Sequence, residues 1–176
     1  MAWSKPVSPE CWQPTQRWLV PDKFYKNTGV HPGTDYPWSR ITGIQNTLLF
    51  SVSDGEIVYS GLDGKGLGTW LGNFFSLYVK SVDRSFLYCH LRSIPPAKST
   101  PKCGEIVGVM GNTGVSTKGV HLHLEGWYGR FNTDEQHYSL KKRTDVSRLT
   151  FDAHSYISNI CSVPVVGPAS DKRYYA

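Results

Sequence analysis

The sequence has no apolar stretch long enough to cross a membrane as a helix, which requires about 18–20 consecutive apolar residues. The segment from Met1 to Glu10 also lacks the apolar core of a secretory signal peptide. These absences predict a protein without a transmembrane segment or signal peptide, made in a cytoplasm.

Cysteine is scarce, and its spacing excludes two classes of small protein. The four cysteines, Cys11, Cys89, Cys103 and Cys161, are widely separated and form no C-x-x-C pair. This spacing fits neither a zinc ribbon nor a dense disulfide framework. We therefore expect free, mostly buried thiols, with Cys89 pointing into the core.

Charge is unbalanced but not concentrated. Lys and Arg number 19 against 14 Asp and Glu, which gives a net charge of +5. Such a charge suits an anionic partner such as a nucleic acid, a membrane surface or a bacterial wall polymer. The single basic cluster is Lys141–Lys142–Arg143, and no basic stripe with interleaved aromatic residues is present. Nucleic-acid binding is therefore not expected.

The composition favours β-structure, because the chain has 17 glycines, 11 prolines, 10 tyrosines and 6 tryptophans. Short apolar segments alternate with turn signals, which predicts an all-β, mainly antiparallel fold. Asp54–Gly55 is typical of a tight turn and predicts that the strands on its two sides pair. Asp83–Arg84 predicts a second hairpin. The predicted strands cover 47–53, 56–61, 74–82, 85–91, 104–110 and 120–127.

We expect one monomeric domain with short irregular or helical extensions at its ends. Prolines exclude a long helix from residues 1–20, which predicts an irregular arm whose tryptophans pack onto the domain. Residues 21–150 form the predicted domain. Residues 151–176 form a C-terminal extension packed on the domain or trailing from it. A short helix is expected between Ser147 and Ile160, and 163–176 is expected to be a tail.

A strict alternation of apolar and polar residues at 120–125 predicts a strand that carries His121 and His123 on one face. Neighbouring imidazoles on one strand face suit a metal site. The alternative is a pair of surface histidines in an edge strand. Spacing does not decide which of the two would bind a metal.

His31 and Asp35 form a second candidate site. In an extended strand they would lie about 13 Å apart, at about 3.3 Å per residue. Zinc ligands must lie within about 3–4 Å of one another, because each is about 2 Å from the metal. Pro32–Gly33 predicts a bend that would bring the two side chains to one ion. A plain turn with a surface His and Asp is the alternative.

His90 ends the segment Phe86–Leu91, where alternation places Phe86, Tyr88 and His90 on one strand face. Alone, such a histidine indicates a hydrogen-bonded core or edge residue. Together with the other motifs it completes the side chains of a zinc hydrolase: three ligands, an open position for water or substrate, and two imidazoles for proton transfer and charge stabilisation.

The ordered motifs resemble the lysostaphin/LytM-type zinc endopeptidases over roughly residues 25–150. They are His31-x-x-x-Asp35, Asp54–Gly55, Tyr88-x-His90–Leu91, Gly104-x-x-x-Gly108, Gly111–Asn112–Thr113–Gly114, Ser116–Thr117 and His121-x-His123-x-Glu125. The sequence departs from the family in the loop before His121, which lacks a proline and is one residue longer.

The resemblance implies a small antiparallel β domain with a groove walled by loops. It implies that His31, Asp35 and His123 bind Zn²⁺ and that His90 and His121 are the catalytic pair. The loop residues Asn112, Thr113, Ser116 and Thr117 are expected near the groove. The implied substrate is bacterial peptidoglycan, cut at a peptide cross-link or stem.

The predicted compartment and single domain favour a phage endolysin, released to the wall by other factors. A virion-associated wall-piercing hydrolase is the alternative. A further alternative is a relative of the same fold that has lost catalysis and acts as a binding or activating module. All five implied site residues are present, which favours an active enzyme.

Overall fold

A computed structural model describes residues 2–161 and shows a fold built mainly of antiparallel strands with a few short helices. This confirms the predicted fold class. The strands are β1 (Thr34–Pro37), β2 (Leu48–Phe50), β3 (Glu56–Gly61), β4 (Asn73–Val79), β5 (Arg84–Leu91), β6 (Ile106–Val109), β7 (His121–Tyr128) and β8 (Thr150–Phe151). The α-helices are α1 (Gly68–Leu71), α2 (Asp134–Tyr138), α3 (Arg143–Leu149) and α4 (Ala153–Ile160).

The main sheet has the strand order β1-β7-β5-β4-β3, and β8 adds a further short pairing to β7. Every one of these pairs is antiparallel. Strand β7 therefore lies between β1 and β5, and its register sets His123 opposite Asp35 on one side and Cys89 on the other. The site motifs of three separate segments meet on these three strands.

Side-chain alternation divides the apolar residues of the sheet between two clusters. Phe86, Tyr88, Leu122 and Leu124 belong to the larger cluster, all of them fully buried. The residues that alternate with them, Leu87 and Cys89, contribute to a second cluster against α1 and the segment after β7. The prediction that Cys89 points into a core is confirmed. Cys11 is likewise a buried free thiol, whereas Cys103 and Cys161 are only partly buried.

The Asp54–Gly55 turn does not join paired strands, so this prediction was wrong. Strand β2 pairs with β6 in a separate two-stranded sheet, and β3 pairs with β4. Instead, the Asp54 carboxylate accepts hydrogen bonds from the Cys103 amide at 2.9 Å and the Lys102 ammonium at 3.3 Å. Alternation determines which face of a strand is buried, but it does not determine the neighbouring strand.

The second predicted hairpin is confirmed: β4 and β5 pair from Val79–Arg84 onwards. The connection is a 3₁₀ turn, Lys80–Val82, closed by Asp83 in the left-handed region at φ +50°. Its short polar side chain tolerates this conformation.

Both ends of the described chain pack on the sheet. Trp3 and Trp12 pack against the larger cluster, and Ile157 of α4 is buried within it. The short helix predicted between Ser147 and Ile160 is present as α4, whereas α3 lies before β8 and mostly outside the predicted range. The predicted tail at 163–176 lies outside the described residues. None of the helices within residues 2–161 is long and apolar enough to cross a membrane.

Candidate metal and catalytic site

Three predicted ligands come together in one cluster. His31 Nε2 lies 3.0 Å from His123 Nδ1 and 3.2 Å from Asp35 Oδ1, and the latter two atoms are 2.8 Å apart. Both histidines are buried, at 1% exposure each. An ion at about 2.0–2.1 Å from three tetrahedral ligands needs ligand atoms about 3.3 Å apart. The cluster therefore fits a small metal ion after a slight expansion.

The local sequence explains why these side chains meet. The chain bends at Pro32 and Gly33, as predicted, before β1 begins. Strand pairing then fixes Asp35 directly opposite His123. A Cβ on Gly33 would lie 2.7 Å from the Leu124 carbonyl oxygen and 2.8 Å from the His123 ring. Only glycine lets the bend pass this close to the ligand.

The Asp35 carboxylate is held in its charged form. Burial raises its pKa, but hydrogen bonds and charge interactions with His123 and His31 outweigh burial and bring the pKa well below its ordinary value. A negative carboxylate next to two imidazole nitrogens is a suitable ligand set for a divalent transition metal.

His90 joins the site through an irregularity that the alternation did not predict. Three β4 residues, Asn73–Phe75, oppose four β5 residues, Tyr88–Leu91, which marks a bulge. His90 itself has φ +66°. The bulge reverses the alternation, so Leu91 follows Tyr88 into the larger cluster. The prediction that His90 shares the face of Phe86 and Tyr88 was therefore wrong.

The bulge turns His90 towards β7, where its ring centre lies 4.7 Å from that of His121 and 5.7 Å from that of His123. Its Nδ1 lies 2.9 Å from the Thr113 carbonyl oxygen. Burial and the two neighbouring histidines lower its pKa to about 3. His90 is therefore a neutral imidazole near neutral pH.

His121 faces the same cluster from the end of β7. Its Nε2 lies 3.8 Å from Asp35 Oδ1, and its Nδ1 lies 2.7 Å from the Gly119 carbonyl oxygen. Burial lowers its pKa, although the charge of Asp35 opposes this shift. The structure thus brings all five predicted site residues together, while their roles remain predictions.

The predicted groove loop supports the site through its own hydrogen bonds. The Thr113 hydroxyl donates to the Leu91 carbonyl oxygen at 2.9 Å, next to His90. Ser116 donates to the Trp70 carbonyl oxygen at 2.5 Å, and Thr117 donates to the Asn112 amide oxygen at 2.6 Å. These side chains fix the loop, and their contact with substrate remains a prediction.

An open hollow of about 810 Å³ lies among residues 16–29. Tyr25 lines the hollow, and its ring centre lies 5.5 Å from that of His31. Lys23 and Lys26 also line the hollow.

Two polar residues next to the His31, Asp35 and His123 side chains were not assigned a role from the sequence. Glu125 is fully buried, and its carboxylate lies 3.0 Å from His123 Nε2 and 3.1 Å from His137 Nε2. Alternation along β7 places Glu125 on the His123 face and could have revealed it. His137 comes from α2, and its approach to β7 has no signal in the local sequence.

No protein-family model matches the sequence. A curated relative, DD-carboxypeptidase/endopeptidase Mpg of Neisseria meningitidis serogroup B, is 33% identical over 97 residues. That alignment covers 54% of this chain but only 20% of the length of the relative.

Two of the solved structures that share the fold are peptidases. The antimicrobial peptidase lysostaphin from Staphylococcus simulans matches with a TM-score of 0.62 and 21% identity, covering 97% of this chain and 62% of that one. A zinc-containing peptidase from Vibrio cholerae matches with a TM-score of 0.59 and 23% identity, covering 72% and 36%. The resemblance found in the sequence motifs is thereby confirmed, and the chain has the fold of the lysostaphin/LytM-type peptidases.

Proposed function

We propose that the protein is a zinc-dependent endopeptidase that hydrolyses peptide bonds in the cross-links or stems of bacterial peptidoglycan. The observation that carries the proposal is the convergence of His31, Asp35 and His123 at 2.8–3.2 Å, with the rings of His90 and His121 next to them. A site with three ligands leaves the fourth zinc position open for water or substrate.

The ligand set fits zinc better than calcium or magnesium, because two of its three donors are imidazole nitrogens. The binding atoms would be His31 Nε2, Asp35 Oδ1 and His123 Nδ1. When bound, zinc polarises the scissile carbonyl group and lowers the pKa of a bound water towards about 7.

Hydrogen bonding determines which nitrogen of each catalytic histidine is basic. The Nδ1 atoms of His90 and His121 each lie against a backbone carbonyl oxygen, which only accepts. Nδ1 therefore carries the proton, and Nε2 keeps its lone pair. Each Nε2 can take the proton of the attacking water, and once protonated it can donate to the oxyanion or the leaving amine. We assign these tasks to the pair together.

The substrate class rests on several lines of support. The three named proteins that the chain resembles are a DD-carboxypeptidase/endopeptidase, an antimicrobial peptidase and a zinc-containing peptidase, which supports a peptide substrate. The sequence motifs resemble enzymes that act on peptidoglycan, and a net charge of +5 suits an anionic wall. Convergence of all five site residues supports catalysis over a purely binding relative. A phage endolysin, or a virion-associated enzyme, remains a prediction.

The test is digestion of purified peptidoglycan of two chemotypes, with fragments sized by mass spectrometry and zinc measured by elemental analysis. The wild type should contain one zinc and release fragments cut at a peptide bond. Asp35→Ala should lose both metal and activity. Asp54→Ala, which removes an exposed carboxylate outside the site, is the matched control and should keep both. A wild type that is metal-free but fully active would overturn the proposal.

A further inference from the structure

The Glu125 carboxylate is fully buried next to the predicted ligand His123. It accepts hydrogen bonds from three directions: His123 Nε2 at 3.0 Å, His137 Nε2 at 3.1 Å and Trp127 Nε1 at 2.7 Å. A buried carboxylate is strongly destabilising unless such partners are present. Although burial raises the pKa of Glu125, His137 and His123 hold it well below its ordinary value.

The contact with His123 fixes the orientation of a metal ligand. A carboxylate only accepts, so His123 Nε2 carries the hydrogen that it donates to Glu125, which leaves Nδ1 as the nitrogen that can bind a metal. Nδ1 lies 2.8 Å from Asp35 Oδ1, on the side where the other two predicted ligands meet, and would give up its own hydrogen when a metal binds. Hydrogen bonds of this kind to the distal nitrogen set the tautomer and basicity of metal-binding histidines.

Helix α2 is tied firmly to the domain, so it can hold His137 in place. The Asp134 carboxylate accepts from the Tyr59 hydroxyl at 2.5 Å and from the Leu67 amide at 3.0 Å. At the start of the helix, Thr133 and Gln136 form a capping box. His137 therefore reaches Glu125 from a helix anchored at both its first turn and its cap.

We propose that His137 and Glu125 are positioning residues that orient His123 for metal binding, so that helix α2 contributes to zinc affinity. This proposal rests on the proposed zinc function. The competing explanation is purely structural: the same contacts would only fasten α2 to the sheet. The two explanations differ in what happens to the metal when the donor at position 137 is removed and then restored.

The experiment measures zinc affinity by chelator competition and the absorption spectrum of the Co²⁺-substituted protein. His137→Ala should weaken zinc binding by about 10–100-fold, the usual effect of losing such a partner. It should also shift the Co²⁺ spectrum. His137→Gln should largely restore both, because its amide nitrogen can donate to Glu125. Tyr138→Ala is the matched control on the same helix, where the side chain is 42% exposed, and should behave like wild type.

Glu125→Gln provides a second route if His137→Ala fails to fold. It keeps the side-chain size and removes the charge, and it should weaken zinc binding to a similar extent. Unchanged zinc affinity in the folded variants would overturn the proposal. A loss that Gln at position 137 does not restore would also overturn it, in favour of the structural explanation. A wild type that binds zinc but cleaves no peptidoglycan would reject only the proposed function.

Discussion

His121 and His123 lie two residues apart on one strand, yet their surroundings differ in a way that the sequence could not show. Both ring nitrogens of His123 have partners, Asp35 and Glu125, and its side chain is 1% exposed. The His121 side chain is 18% exposed, and its Nε2 has no hydrogen-bond partner within the described residues. The more enclosed imidazole suits a ligand, and the more open one suits proton transfer to a substrate.

Because their surroundings differ, substitution of His121 and of His123 should have different effects on zinc binding and turnover. His121→Ala should keep zinc and lower turnover by roughly 10²–10⁴-fold, the usual range for a general acid–base group. His123→Ala should lose the metal itself. Elemental analysis and turnover of the two variants check this. If both variants lost zinc equally, both histidines would be ligands and the assignment would be wrong.

Gly33 tests how closely the bend must approach the metal site. Gly33→Ala would place a Cβ 2.7 Å from the Leu124 carbonyl oxygen and 2.8 Å from the His123 ring, so the bend or the ring must shift. We expect weaker zinc binding and a loss of stability of about 1–3 kcal/mol, typical of overpacking. Thermal unfolding and zinc titration measure these effects.

Gly119→Ala is the control for this substitution, because a Cβ there has no atom within 4 Å. It should leave zinc binding unchanged. Wild-type zinc affinity in Gly33→Ala would show that the ring tolerates displacement and would contradict the prediction.

At the level of elements, strand β5 shows where local patterns stop being informative. Alternation correctly places Phe86, Tyr88 and Cys89, but it fails at His90 because a bulge inserts one residue there. The left-handed backbone at His90 costs energy in any residue other than glycine. Packing in the rest of the sheet must impose this conformation. The alternation of apolar and polar residues along one strand does not predict it.

The cost of that conformation is measurable. His90→Gly and His90→Ala should both lose turnover, since the imidazole is gone. The glycine variant should be more stable than the alanine variant by about 1 kcal/mol, because only alanine is strained at φ +66°. Urea unfolding of the two proteins gives the difference.

The control is the same pair of substitutions, to glycine and to alanine, at Tyr78 in β4, because Tyr78 does not have a positive φ. There the glycine variant should be the less stable one, because glycine weakens an ordinary strand position. The same sign at both positions would mean that backbone strain at His90 is not the cause.

The site was predictable where its signals were local. The Pro32–Gly33 bend and the alternation at His121–Glu125 each lie within a few residues and are determined by backbone sterics. The pairing of β2 with β6 and the approach of His137 to Glu125 were not predictable. Both depend on which distant surfaces the apolar core brings together, and many distant segments satisfy the same local pattern.

The N-terminal arm and α4 meet at a half-buried histidine that predicts a pH effect on stability. His154 Nδ1 lies 3.0 Å from the Tyr36 hydroxyl, and its ring stacks on Trp12 at 4.4 Å. Burial lowers its pKa, and the charges of Arg17 and Lys5 add to this against Asp152. The pKa of His154 is therefore lower in the folded protein than in the unfolded chain, where it has its ordinary value of about 6.5. Below that pH, the unfolded chain binds more protons than the folded protein.

The stability contributed by neutral His154 is thus complete above that pKa and is lost as pH falls below it. Wild type should lose more stability between pH 7.5 and pH 5 than His154→Gln, which cannot titrate. Urea unfolding of metal-free protein at both pH values measures the loss, and the comparison cancels groups common to both. Equal losses in the two proteins would show that His154 does not contribute.

At the scale of the whole molecule, the net charge of +5 predicts how the proposed endopeptidase would find an anionic wall. Long-range attraction should speed its encounter with the polymer. Salt screens this attraction over about 10 Å at about 0.1 M, whereas the short-range contacts of a bound peptide are screened much less. Lysis of intact wall should therefore fall as salt rises, while cleavage of a small neutral peptide should change little.

The basic residues are spread along the chain, so no single surface substitution such as Lys80→Ala should reproduce the salt effect. Rates on intact wall and on the neutral peptide, measured from low to high ionic strength, separate steering from chemistry. If both rates fell in parallel, salt would be acting on the site or on the fold. The attraction between the positive protein and the wall would then have no part in its activity.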